Sequence, residues 1–128
     1  MNQAQKDVVN HLVAKVPIVF AATPALARRI RRVPEDLNGA PVILPSSPSQ
    51  IYHRILDLFA ERNVKPRIIA EVQDVELARR LALSGRGIAP LNAYTIAVSP
   101  PKNGLVTLAP RTPLDLFENI YLVTRSRK

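Results

Sequence analysis

The sequence predicts an α/β fold, a Rossmann-like βαβαβ parallel sheet with flanking helices. Three observations predict it. PVILP (41–45), RIIAE (67–71) and GIAPL (87–91) are short apolar runs fenced by proline, glycine or charge, the pattern of buried strands. The two intervals between them carry apolar residues at helical spacing. Glycine is scarce, four in 128 residues, and Gly85 and Gly87 fall just after the second of those helices. Two consecutive βαβ units follow, which favour parallel strands with helices packed on the sheet.

Taken in order, residues 1–10 are polar at the start and are expected to be a disordered or linker lead-in. HLVAKVPIVFAA (11–22) reads as a long strand that Pro17 bends or confines to an edge. TPALARRIRRVPEDLNGA is a connection with one helical turn after Pro24. The first long helix is expected over 48–62. Ser47 stands at the N-cap, Pro48 at the first helical position and Gln50 three residues after the cap, which is a capping box with a first-turn proline. Asn63 suits the left-handed residue that ends a helix, and Pro66 forbids continuation.

The second helix is expected over 74–84. Asp74 and Glu76 lie in its first turn and Arg79 and Arg80 later, as the helix dipole prefers. Leu77 with Leu81, and Ala78 with Ala82, are expected to form its inner face. Gly85 then occupies the C-cap position, and Gly87 opens the next strand where backbone approaches backbone. A phosphate-cradling glycine loop runs from strand into helix. Here the glycines follow a helix, so they read as structural. Residues 92–99 are expected to form a short third helix. LVTL (105–108) and NIYLVTR (119–125) are further strands, the last returning beside 11–22.

Composition narrows the function. An apolar content of 47% with 22% charged residues fits a globular chain. The absence of cysteine excludes disulfides, thiolate catalysis and a zinc ribbon. HLVAKVPIVFAATPALA resembles a cleaved signal only superficially, because Lys15 and Pro17 interrupt it. No run reaches membrane-spanning length, so no membrane association is expected. The net charge of +8 raises the question of nucleic acid, yet the one dense cluster is RRIRR, Arg28 to Arg32, and no aromatic residue interleaves with it. His11 and His53 stand alone, no serine lies in a nucleophile elbow, and no cofactor, metal ligand set or catalytic residue is expected.

Candidate binding residues follow from topology. Ligands of open parallel α/β sheets sit beyond the carboxyl ends of the strands. The first strand delivers Ser46, Ser47 and Ser49 there, the second Gln73 and Asp74 after Val72, and the third Pro90 and Leu91 before Asn92. Two helix N-termini point free amides at the same rim. Each residue also reads as an ordinary cap. Together they form one wall of a site for a small polar or anionic ligand.

EDLNGAPVILPSS, IYHRILDLFAERNVKP, RIIAEVQDVELARRLALSGRGIAPLNAY and NIYLVTRSR together resemble the effector-binding domain of LysR-type transcriptional regulators, from about Val16 to Arg125. EVQDVELARRLALSGRGIAP is most similar to the branch that activates sodium/proton antiporter genes. The resemblance implies a fold like periplasmic binding proteins, with two subdomains joined by crossing strands and an effector between them. This chain is similar to the second subdomain plus both crossing segments, 11–22 and 117–125. Residues 11–128 are thus expected to be a truncated effector-binding regulatory domain. The resemblance further implies a small-molecule or ion effector, a cytoplasmic location, and DNA contact only through a separate N-terminal domain, with the RRIRR run on the surface. It also implies self-association, for which the helix 48–62, with two adjacent apolar stripes, and the crossing strands 11–22 and 117–125, deprived of neighbours, are the expected contacts. The rival readings are a small basic module binding nucleic acid non-specifically and a small solute-binding protein.

Overall fold

The computed structural model of the chain describes residues 8–46, 50–93, 96, 104–110 and 112–125. In chain order the elements are β1 (Val8–Ala22), α1 (Pro24–Ala27), a 3-10 turn at Glu35–Leu37, β2 (Pro41–Pro45), α2 (Gln50–Glu61), β3 (Arg67–Val72), α3 (Val75–Leu83), β4 (Ala89–Asn92), β5 (Val106–Leu108) and β6 (Phe117–Arg125). β1 starts at Val8, so residues 8–10 belong to a strand rather than to the expected lead-in.

The core is built around β2. Val42 and Leu44 face one way, into a cluster with Phe20, Ile55, Leu58 and Phe59. Ile43 faces the other way, among Ala21, Ala78, Ala82 and Leu91. Successive strand residues point to opposite faces, so a strand covered on both sides must be apolar throughout. Phe20 and Phe59 stack with ring centroids 5.9 Å apart, tying β1 to α2. On α2, Ile55, Leu58 and Phe59 are buried, and Ile51, Tyr52 and Leu56 pack half-buried against the same cluster. The second stripe, Ile51, Tyr52 and Leu56, thus packs partly inside the chain and stays partly exposed, rather than being left wholly outward.

The sheet differs from three parallel strands. β2 and β3 pair in parallel from Pro41↔Arg67 to Pro45↔Val72. The third strand meets β2 in parallel only at Val42↔Ile88, where Ile43 N donates to Ile88 O and Ile88 N donates to Pro41 O. Beyond Ile88 the chain turns to β1 and pairs antiparallel, from Ile18↔Asn92 to Ala21↔Ala89. Pro41, Pro45 and Pro90 lack N–H donors, which limits how far a β2–β4 ladder can run. β5 also pairs antiparallel with β1, at Phe20↔Leu108 to Ala22↔Val106. β6 pairs with the first part of β1, from Val8↔Arg125 to Pro17↔Phe117, as its alternation predicts. Pro17 marks the point where β1 passes from β6 to β4.

Two burial expectations fail. β3 was expected to be buried, yet Ile68 and Ile69 are 40% and 38% exposed. Its only strand partner among the described residues is β2, so β3 is an edge. On α3, Ala78 and Ala82 are buried but Leu77 is 46% exposed and Leu81 only half-buried. Small residues, not leucines, face the sheet there. The caps fall where the sequence places them. Asp74 caps α3, its Oδ1 accepting from Glu76 N at 2.9 Å. Gly85 has φ +81° and Asn63 φ +55°. A Cβ on Gly87 would stand 2.8 Å from Ile69 Cδ1 and 3.2 Å from Ile43 Cδ1. The close approach at Gly87 is thus to side chains rather than backbone. Most of the expected 92–99 helix, and the Ser47-Pro48 start of the first long helix, lie outside the described residues.

Candidate ligand-binding site

The parallel β2–β3 pair and β4 bring their carboxyl ends to one rim, where sequence reasoning placed a site. Gln73, Asp74, Pro90 and Leu91 line one cleft there, with Pro45 and Ala78. Ser46 sits at the same edge, its N–H donating to Val72 O at 2.9 Å, which links the ends of β2 and β3. Ser47 and Ser49 lie outside the described residues. The cleft encloses only about 50 Å³. That is room for a water or two, against roughly 300–1,000 Å³ for a small-molecule pocket. One oxygen of Asp74 is already engaged as a cap. This rim can supply a wall to a ligand but does not enclose one.

A second cleft, of about 210 Å³, opens beside the first turn of α2. Gln50 and Ile51 contribute one side, Ile18 of β1 the floor, and Phe117, Asn119 and Tyr121 of β6 the other side. The lining is mainly apolar with a few polar groups, the usual make-up of a ligand site. The Asn119 side-chain oxygen is buried and has no hydrogen-bond partner among the described residues. Buried polar atoms are nearly always paired, so an orphaned acceptor calls for an explanation. Glu118, also in the lining, accepts from Asn92 Nδ2 at 2.8 Å, which ties β6 to the end of β4.

Sequence reasoning missed this cleft. Gln50 entered it only as part of a capping box, and Asn119 and Tyr121 only as strand residues. They meet because β6 returns along β1 and reaches the start of α2, nearly seventy residues away in sequence. The expected β1–β6 pairing was the signal, but apolar alternation says nothing about which helix end lies nearby. A third depression, about 240 Å³, lies between Arg54, Asp57 and Glu61 of α2 and Leu114–Leu116, and it is open and rimmed by carboxylates.

Arg28, Arg29, Arg31 and Arg32 are exposed, as expected of the RRIRR run. The N–H groups of Arg31 and Arg32 donate to Asp36 Oδ2 at 2.8 and 2.9 Å, and the Arg32 guanidinium lies 3.7 Å from the same carboxylate. Those backbone donors, Arg32's first, hold the Asp36 carboxyl below its ordinary range. His53 is exposed and edge-on to Tyr52 at 5.4 Å, and His11 is exposed on β1. No group of three or more metal-ligating side chains occurs among the described residues. No helix among them is long and apolar enough to cross a membrane.

No curated protein matches the chain in sequence. Solved structures do match in fold. The regulatory domain of Synechocystis CcmR in complex with 2-PG is 21% identical, with a TM-score of 0.73, over 95% of this chain and 59% of that one. CbnR, a LysR family transcriptional regulator, is 17% identical with a TM-score of 0.74, over 95% of this chain and 43% of that one. Vibrio fischeri DarR in complex with DNA is 20% identical with a TM-score of 0.72, over 94% of this chain and 40% of that one. The chain thus spans about three fifths of the CcmR regulatory domain and less than half of the other two proteins. Its whole length, residues 1–128, matches the LysR substrate binding domain family. The chain belongs to that family and is a LysR-type regulatory domain of the periplasmic-binding-protein-like α/β fold.

Proposed function

We propose that the chain is the ligand-sensing and self-associating part of a LysR-type transcriptional regulator, and that its effector lies against the cleft between Gln50 and β6. The observation that carries the cleft is the orphaned Asn119 oxygen in a lining that is otherwise mainly apolar. An effector with an N–H or O–H donor would pair that acceptor while its apolar part rests on Ile18, Ile51 and Phe117. The rim at Ser46, Gln73, Asp74, Pro90 and Leu91, with Ser47 and Ser49 before α2, supplies the polar remainder of the wall. The 2-PG held by CcmR is one small effector with which to test the cleft.

On this reading DNA is contacted through a separate N-terminal domain, as a regulator bound to DNA such as DarR illustrates, and the protein works in the cytoplasm. The wording of residues 71–90 further supports the branch that activates sodium/proton antiporter genes. The experiment is thermal unfolding of the 128-residue chain against 2-PG and a panel of small phospho- and carboxylic acids. A ligand at a hundredfold excess over its Kd should stabilise by about 2.7 kcal/mol, and Asn119→Leu should abolish that shift without lowering the unliganded midpoint. A shift that survives Asn119→Leu but vanishes in Gln73→Ala would move the site to the small rim.

A further inference from the structure

We propose that the end of the domain opposite the ligand rim docks an acidic protein segment, one that sets carboxylates around an apolar side chain. This goes beyond effector sensing and does not depend on the cleft at Asn119. The amino ends of β2, β3 and β4 gather at that end: Pro41 pairs with Arg67, and Ile88 N donates to Pro41 O. β1 finishes there as well, since Ala21 pairs with Ala89 while Ile18 pairs with Asn92 on the rim side. The two-stranded β1–β6 ribbon leaves in the other direction, from Pro17↔Phe117 out to Val8↔Arg125. The crossing strands therefore lead away from this end, and so does anything joined through them.

Charge is concentrated here and left unbalanced. Arg28, Arg29, Arg31, Lys65, Arg67 and Arg86 are all exposed, and none has a carboxylate partner among the described residues. The nearby carboxylates are already taken. Glu35 accepts from Arg62 at 2.8 Å, and Asp36 holds the Arg32 guanidinium at 3.7 Å and two backbone N–H groups. Glu61, late in α2, instead lines the depression beside Leu114–Leu116. Crowded cations repel one another, and an anionic partner relieves that repulsion. Guanidinium forks match carboxylates in a bidentate way. Shape adds an apolar element. Arg29 lines an open depression of about 240 Å³ with Thr23, Ala25, Leu26 and Gly85, and Arg86 follows Gly85 directly. Ala25 and Leu26 give it an apolar wall, which suits a protein side chain and offers a phosphodiester backbone nothing. Glu35 and Asp36, standing among the arginines, would also set two like charges against a row of phosphates.

The probe is a short fluorescein-labelled peptide of glutamates around one leucine, titrated with the full 128-residue chain and read by anisotropy. It should bind with a Kd below roughly 100 μM at low salt and about tenfold or more weaker at about 0.3 M salt. Arg29→Gln combined with Arg86→Gln should weaken binding by about tenfold or more, with the melting midpoint unchanged. Ala25→Glu, which sets a carboxylate in the depression and keeps both arginines, should weaken it too. Lys15→Gln combined with Arg54→Gln removes the same charge from exposed positions elsewhere, and should change the Kd by less than about threefold. A serine in place of the peptide's leucine should weaken binding by about threefold or more. Equal losses in the two double variants would reduce the attraction to net charge and overturn the surface. A DNA duplex bound more tightly than the peptide at the same salt, and released by the Arg29 and Arg86 changes, would overturn the protein partner in favour of nucleic acid. No peptide binding at roughly 1 mM would overturn the proposal outright.

Discussion

β2 and β6 are written in similar residues and live in opposite surroundings. Val42, Ile43 and Leu44 are 0–1% exposed, whereas Ile120 to Val123 are 39–61% exposed. The difference lies in what covers them. β2 has α2 on one face, α3 on the other, β3 along one edge and the Ile88 bridge along the other. β6 has β1 along one edge and, beyond Phe117, the first turn of α2 only across the cleft that Asn119 and Tyr121 line, among the described residues. Apolarity states that a strand needs cover. It does not state whether the same chain provides it.

The largest effects should separate those two regions. Leu44→Ala opens a cavity in a doubly covered strand and should cost about 2–5 kcal/mol in urea unfolding. Leu122→Ala, in the ribbon, should change dilute-monomer stability by no more than about 0.5 kcal/mol. Equal losses would mean that the ribbon is packed in solution as tightly as the core.

The turn between the two halves of the body sharpens the comparison with a conformational rather than a packing effect. Gly85 has φ +81°, and a Cβ there would find only Thr23 Oγ1, at 3.8 Å. The cost of a side chain is therefore backbone strain. Gly85→Val should destabilise by about 1–2 kcal/mol and Gly85→Asn by less, since asparagine tolerates the left-handed region. Indistinguishable midpoints for the two variants would show that the helix end relaxes to another cap.

The smallest effect lies on the surface of α3. Glu76 accepts from Arg79 and Arg80, and the Arg79 hydrogen bond foremost holds its pKa at about 2 instead of 4.5. A carboxyl whose folded pKa is depressed adds stability that is complete above the unfolded value and is lost as protons bind. Its contribution should thus be full above about pH 4.5 and fade towards pH 2. Because the pair is solvent-exposed, the gain is small and screened by salt. Glu76→Gln should flatten the acid limb of a melting-versus-pH curve slightly. An unchanged acid limb would assign that limb to the carboxyls of Glu35 and Asp36, which are also depressed.

Much of the body was legible in the sequence because its signals are local. Asn63, Asp74 and Gly85 end or begin helices by their own backbone preferences, and each takes the conformation or bond those preferences imply. The alternation of β6 foretold its return to β1. The burial of Leu77 was misjudged because helical spacing marks an apolar stripe without ranking its members. The sheet accepted alanines at 78 and 82, which let α3 lie close, and left the leucine outside.

By itself, then, the sequence determined the order of the described strands and long helices, the helix ends at Asn63, Asp74 and Gly85, the doubly apolar β2 and the family resemblance of residues 16–125. Only the tertiary structure decided that β4 leaves β2 after one bridge to pair with β1, that β3 is an exposed edge, and that Gln50, Asn119 and Tyr121 share a cleft. Those outcomes depend on which surfaces compete for the same strand. β1 offered β4 a four-residue antiparallel ladder at 18–21, where the parallel pairing with β2 stops at the single Ile88 bridge. A competition of that kind is settled between segments seventy residues apart, and no local pattern carries it.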